Sequence, residues 1–215
     1  MTDYWLDSVL GRLSPSMQEF LLQTSILDAF NARLCDAVCG RNDAAMVLRE
    51  LERLNLFTFR LDDDQVWFRY HHLFREFLLQ RLQEHSPQRL HALHLAASRW
   101  FEAEGLMSEA IDFALRGNAV ERAAALLVPY GRALFRAGRF KELRLSIAQL
   151  PMSALNDSAE LCILNGWSHA YGGEFERAWV WAESAQSAIP DDAEGPALEG
   201  EISVPAKHPR GHSKR

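Results

Sequence analysis

The chain has 215 residues, 48% of them hydrophobic and 24% charged, with a formal net charge of −6. This length and composition suit one large or two small globular domains, and they exclude a disordered chain, a collagen-like repeat and a disulfide-stapled mini-protein. No apolar run approaches the ~18 residues of a transmembrane helix, and Asp3 and Asp7 interrupt the stretch where a secretory signal would lie.

Trp5, Leu6, Val9, Leu10 and Leu13 fall at helical spacing. Ser14-Pro15 then starts a second helix, because serine caps and proline suits the first turn. That helix carries Met17, Phe20 and Leu21 and is expected to run on to Ile26. Asn31 is placed to cap a short helix holding Leu34, Cys35 and Val38, and Gly40 to end it. Asn42 is placed to cap the next helix, with Met46, Val47, Leu48, Leu51 and Leu54 on its inner face. Two runs rich in aromatic and β-branched residues follow, 56–61 and 66–70, joined by Asp62-Asp63-Asp64-Gln65. This is a hairpin signal. A helix over about 71–85 points Leu73, Phe74, Phe77, Leu78 and Leu82 inward. Short helices, a two-stranded ribbon and a further helix follow the order of a winged-helix domain, placed at residues 1–85.

From 86 to 190 the pattern is helical and repeats. Gly105-Leu106-Met107, Gly138-Arg139-Phe140 and Gly173-Glu174-Phe175 each open a similar phrase, and a small or apolar residue follows at Ala110, Leu143 and Ala178. A period near 34 residues means paired helices stacked as a solenoid. Gly131 and Gly166 precede the last two phrases by seven residues. Gly166, Gly173, Phe175, Ala178, Ala185 and Pro190 fit the tetratricopeptide pattern, with Cys162 in place of its Trp and His169 in place of its Tyr. In the last helix one of Trp179 and Trp181 is expected to pack inward, and the other to await a further repeat. Residues 191–215 hold almost no large apolar side chains and read as a disordered tail. The expected fold is therefore mainly α: a winged-helix domain with a short β-hairpin, then a tetratricopeptide-like solenoid.

The most specific stretch is Arg69-Tyr70-His71-His72-Leu73-Phe74-Arg75-Glu76-Phe77-Leu78. With the phrases at 13–15, 21–27, 34–40 and 51–57, it resembles the end of the winged helix in MalT-type, ATP-dependent LuxR-family transcription regulators. These are signal-transduction ATPases with numerous domains, and the resemblance spans about residues 4–190. In related nucleotide-switch ATPases this junction carries Met-His-Asp, whose His contacts the phosphate of bound ADP. Tyr70, His71 and His72 occupy those places. The resemblance thus implies a nucleotide-sensing role for His71, with His72 beside it where the family pattern has Asp. An imidazole N–H at a helix N-terminus suits a phosphate oxygen. The alternative is that both histidines cap or pack the junction.

No Gly-x-x-x-x-Gly-Lys-Ser/Thr loop is present. The resemblance then implies an internal segment of such a regulator. It is not an enzyme, it holds no cofactor of its own, and it meets ATP or ADP only through an ATPase domain. Expected partners are that ATPase domain and, on the helical repeats, a small-molecule inducer or a regulatory protein. Neither direct DNA contact nor a membrane is expected. The first 85 residues carry nine basic and thirteen acidic side chains, and the wing tip is acidic, which repels phosphate. A stand-alone tetratricopeptide-like adaptor is the second reading, and a DNA-binding winged helix using Arg41, Arg49 and Arg53 the third. His91 and His94 have metal-ligand spacing, but no carboxylate or cysteine stands convincingly beside them. Cys35, Cys39 and Cys162 form no Cys-x-x-Cys pair, which fits a reducing, cytoplasmic setting.

Overall fold

Ser14 opens the first well-defined helix, α1 (Pro15–Thr24): its hydroxyl accepts from the Met17 N–H at 3.3 Å, and Pro15 occupies the first turn. The computed structural model describes residues 8, 10–54, 58–61 and 67–188. Most of the expected helix at 5–13, the wing tip at 62–65, Pro190 and the tail at 191–215 lie outside the described residues. The chain divides into two compact units, Met1–Ala119 and Val120–Arg215.

In the first unit α1 stops short of Ile26. The Thr24 hydroxyl donates to the Phe20 carbonyl at 2.7 Å, and Ser25 closes the helix. Ile26 is buried in the turn that follows instead of on the helix. Helix α2 (Ala32–Cys39) begins and ends as its sequence specifies. Asn31 accepts from the Leu34 N–H at 2.8 Å, and Gly40 closes it at φ 64°.

Helix α3 (Ala44–Arg53) corrects two expectations. Asn42 does not cap it; Asp43 holds the cap position but makes no side-chain cap bond, because its carboxylate is taken by Arg41. The first-turn amide of Ala44 donates instead to Asp36 of α2 at 2.9 Å. One helix therefore caps the next. Asp36→Ala is expected to cost about 1 kcal/mol, the usual worth of such a cap. Urea unfolding of the variant checks this, and Asp36→Asn, which keeps an acceptor, should recover most of the loss. The inner face of α3 is also narrower than its apolar residues suggest. Ala44, Leu48 and Leu51 are buried, whereas Met46 is 63% exposed and Leu54 also faces out.

Strands β1 (Thr58–Arg60) and β2 (Phe68–Tyr70) pair antiparallel, with Phe59 opposite Arg69. Phe30 adds a rung beside β2, exchanging both of its backbone hydrogen bonds with Phe68 at 2.8 and 2.7 Å. Phe20, Leu21, Phe30, Leu34, Leu51, Phe74 and Leu78 form the core beneath. Helix α4 (His72–His85) follows β2 directly and buries Phe74, Phe77, Leu78 and Leu82. Leu73, expected to point inward, is 49% exposed, because it lies one position away from the Phe74–Phe77–Leu78 stripe. Helices α5 (Pro87–Ala103) and α6 (Met107–Arg116) complete the unit. Because α5 packs on α2, the boundary expected at 85/86 falls inside this unit.

The second unit holds α7 (Val120–Arg136), α8 (Phe140–Ile147), α9 (Met152–Asn156), α10 (Ala159–Tyr171) and α11 (Phe175–Ser187). α7 pairs with α8 and α10 with α11, and the short α9 interrupts the simple alternation. The turn glycines Gly138 and Gly173 sit at φ 70° and 78°, where a Cβ is costly, so the two helices of each pair join tightly. A Cβ on Gly166 would stand 3.3 Å from the Ala178 carbonyl oxygen of α11. Glycine there and Ala178, fully buried, let α10 and α11 close on each other. Trp181 packs on the buried Cys162, Ile163 and Ala185, while Trp179 is exposed. Among the described residues no helix is long and apolar enough to cross a membrane.

Candidate site at the strand-to-helix junction

Alternation along β2 sends Phe68 and Tyr70 inward and Arg69 outward. Tyr70 is anchored by its hydroxyl, 2.7 Å from the Thr24 hydroxyl. The Thr24 proton is committed to the Phe20 carbonyl, so Tyr70 is the donor. Burial pushes the Tyr70 phenol well above its ordinary pKa, which keeps that proton in place. Its ring lies 4.6 Å from Phe30 and 5.9 Å from Phe74. The residue in the Met place of the resemblance is therefore a core anchor.

The next residue leaves the core. His71 has φ −58° and ψ 136°, and its carbonyl accepts the Arg75 N–H at 2.9 Å, opening α4. Its imidazole does not cap the helix. The ring is half-buried, 6.0 Å from Phe59 on β1 and 4.5 Å from the exposed ring of His72. The first turn of α4 contains no acidic residue. Two imidazoles thus stand side by side at the positive end of a 14-residue helix. That arrangement can offer N–H donors to an anion.

Arg75, one turn on, holds the junction still. Its guanidinium donates to the Ser25 carbonyl at 3.0 Å and to the Ile26 carbonyl at 3.4 Å, and pairs with Asp28 at 2.8 Å. Asp28 also pairs with Arg116 of α6, which pairs with Asp112, each at 2.8 Å. The α1–α2 turn, α4 and α6 are tied together through these four side chains.

The other sequence candidates part company. His91 bonds the Gly117 carbonyl through Nδ1, whereas His94 is buried with its Nδ1 unpartnered, so the two do not form a ligand pair. Among the described residues no group of three or more His, Cys, Asp or Glu is placed to hold a metal. Burial raises the Cys35 thiol and pushes Cys39 up to about 12, so both are inert thiols. On and around α3, Arg41 pairs with Asp43, Arg53 with Glu50 and Arg60 with Glu52, so of the three arginines named for a DNA contact only Arg49 lacks a carboxylate partner among the described residues.

Two concave places escaped the sequence reading. One, of about 580 Å³, lies in the first unit among α2, α3, the hairpin and α5. The other, of about 450 Å³, lies on α7 and α10 and is lined by Arg132, Phe135, Arg136, Trp167 and Tyr171. Each draws on residues far apart in the chain, so no local motif announces it.

The family model of the MalT winged helix domain matches residues 6–90. This segment is a MalT-type winged helix. The match takes in the hairpin, His71, His72 and all of α4. Over 197 residues the chain is 36% identical to the HTH-type transcriptional regulator MalT of Klebsiella pneumoniae subsp. pneumoniae, covering 90% of this chain and 22% of that protein. It is 34% identical over 224 residues to the MalT of Yersinia enterocolitica, covering all of this chain and 25% of that one. The chain therefore spans a quarter or less of the length of these MalT relatives.

Proposed function

We propose that the chain is the regulatory and sensor segment of a MalT-like LuxR-family transcription regulator. It couples the nucleotide state of an ATPase domain to the binding of an inducer or a regulatory protein. The observation that carries this reading is the paired His71 and His72 at the start of α4, inside a MalT-type winged helix. His71 contributes an N–H to the phosphate of ADP held by the ATPase domain, and His72 widens the same donor face. Release of that contact frees the winged helix, and a ligand on the helical repeats biases the release. The cavity on α7 and α10 supports a ligand-receiving role for the repeats. The same cavity favours one second reading, a tetratricopeptide-like adaptor whose groove takes a partner peptide.

The test uses the full regulator that carries this segment. His71→Ala is expected to weaken ADP binding at least about tenfold, or 1.4 kcal/mol, and to raise transcription without inducer. The half-buried ring fills no core, so the melting temperature should stay unchanged. ADP affinity and inducibility both equal to wild type would remove the sensing role and leave the adaptor reading.

A further inference from the structure

The groove in the first unit carries chemistry that the strand-to-helix junction does not use. Its volume of about 580 Å³ falls in the range of small-molecule sites. Arg33 of α2 and Arg49 of α3 line it together with Trp67, just before β2, and Trp100 of α5. Leu48 also lines the groove. The two indoles meet edge to face at 6.3 Å and 76°, and both are half-exposed. Part of their aromatic surface is therefore open to the groove.

The charges are uneven. Of the two carboxylates in the lining, Glu52 pairs with Arg60 and Glu104 has no basic partner among the described residues, so with Arg33 and Arg49 the lining keeps a net positive charge. Among the described residues neither Arg33 nor Arg49 has a carboxylate partner; Arg49 donates only to the Ala45 carbonyl, at 3.2 Å. In a chain of net charge −6, two uncommitted guanidinium groups beside two tryptophans are a local exception. Guanidinium forks match carboxylate and phosphate oxygens. Indole edges and faces accept a flat ring in stacked or T-shaped contact.

We propose that this groove binds a small organic anion built on one aromatic ring, an aryl carboxylate or aryl phosphate. The ring packs against the open surface of the Trp67–Trp100 pair, and the anionic group meets Arg33 and Arg49. The site does not depend on any role of His71.

Benzoate and phenyl phosphate are the probes, titrated into the whole 215-residue chain and followed through the indole N–H signals of Trp67 and Trp100 in an amide NMR spectrum. Both anions are expected to shift those two signals saturably. Benzyl alcohol, which lacks the charge, and acetate, which lacks the ring, should bind at least about tenfold more weakly. The double variant Arg33→Ala/Arg49→Ala should lose at least about tenfold in affinity with an unchanged melting curve, since both side chains are exposed on helix surfaces. No saturable shift up to about 10 mM would overturn the proposal. So would equal binding of acetate and benzoate, or full affinity in the double variant. An acid-rich peptide that shifts the same signals while both small anions fail would overturn it too, and would assign the groove to a protein partner.

Discussion

Replacing Phe30 by alanine is expected to destabilise the first unit by about 3–5 kcal/mol, the range for losing a fully buried aromatic side chain. Phe30 is 0% exposed. Its backbone pairs with Phe68 through both N–H and C=O, and its ring touches those of Phe68 and Tyr70. The substitution therefore opens a cavity under β2 and loosens the rung that fixes the strand. Domains of this size have only about 5–15 kcal/mol of stability in hand, so a large part of it would go. Urea unfolding followed by tryptophan fluorescence gives the number, since Trp67 and Trp100 report on this unit. Leu73→Ala, an exposed helix position, is the control and should stay within about 0.5 kcal/mol. A Phe30 variant that loses under about 1 kcal/mol would mean that the ring is not the keystone its burial indicates. The effect reaches the candidate site as well. Tyr70 leans on Phe30, and His71 follows Tyr70, so a softened strand would let the imidazole wander.

Local signals in the sequence marked the helices well where the chain itself supplies the caps. Ser14, Asn31 and Gly40 each sit within their own helix boundary, and each does what its residue type predicts. The expectation failed at Asn42 because the acceptor comes from Asp36, a residue of the preceding helix, and the rival cap Asp43 is diverted to Arg41. Inner faces were legible to the extent that the stripe is regular. Leu73 stands one position off its helix's buried line and Met46 two positions from both Ala44 and Leu48, so both are apolar yet exposed, and composition alone does not show that. The turn glycines of the repeats were visible because a positive φ leaves a residue-type signature. The short α9 left no such mark. At the site, the His71–His72 pair could be read as a motif, but its setting could not. Tyr70's bond to Thr24 spans 46 positions, and Arg75's hold on Ser25 spans 50. The groove of Arg33, Arg49, Trp67 and Trp100 is assembled entirely by such long connections.

Acid is expected to weaken the first unit through His94, at pH values well above those that protonate most carboxylates. His94 lies on α5, is buried, and has its Nδ1 unpartnered. Burial lowers its pKa from 6.5 to about 4. The groups that face it divide: Arg116 and Arg75 push the same way, whereas Asp112 and Asp28 oppose them. Above pH 6.5 the ring is neutral in both folded and unfolded chains, and the full stability is present. Between pH 6.5 and 4 the unfolded chain takes up the proton and the folded one does not. Stability therefore falls as pH falls through that window, by on the order of 1–2 kcal/mol at pH 5, and this group adds no further loss below about pH 4. Urea unfolding at pH 7.5 and pH 5 measures the loss. His94→Gln cannot take the proton and should flatten the difference, while the Arg75–Asp28–Arg116–Asp112 ion pairs stay in place in that variant. An equal loss in wild type and His94→Gln would assign the acid sensitivity to the Arg75–Asp28–Arg116–Asp112 network instead. NMR of the His94 ring gives a second reading, because its signals should stay those of neutral imidazole until the pH nears 4. Gly117 sharpens the expectation: a Cβ there would stand 3.0 Å from the His94 Cβ, and its carbonyl already holds His91. The end of α6 is thus packed closely against both histidines.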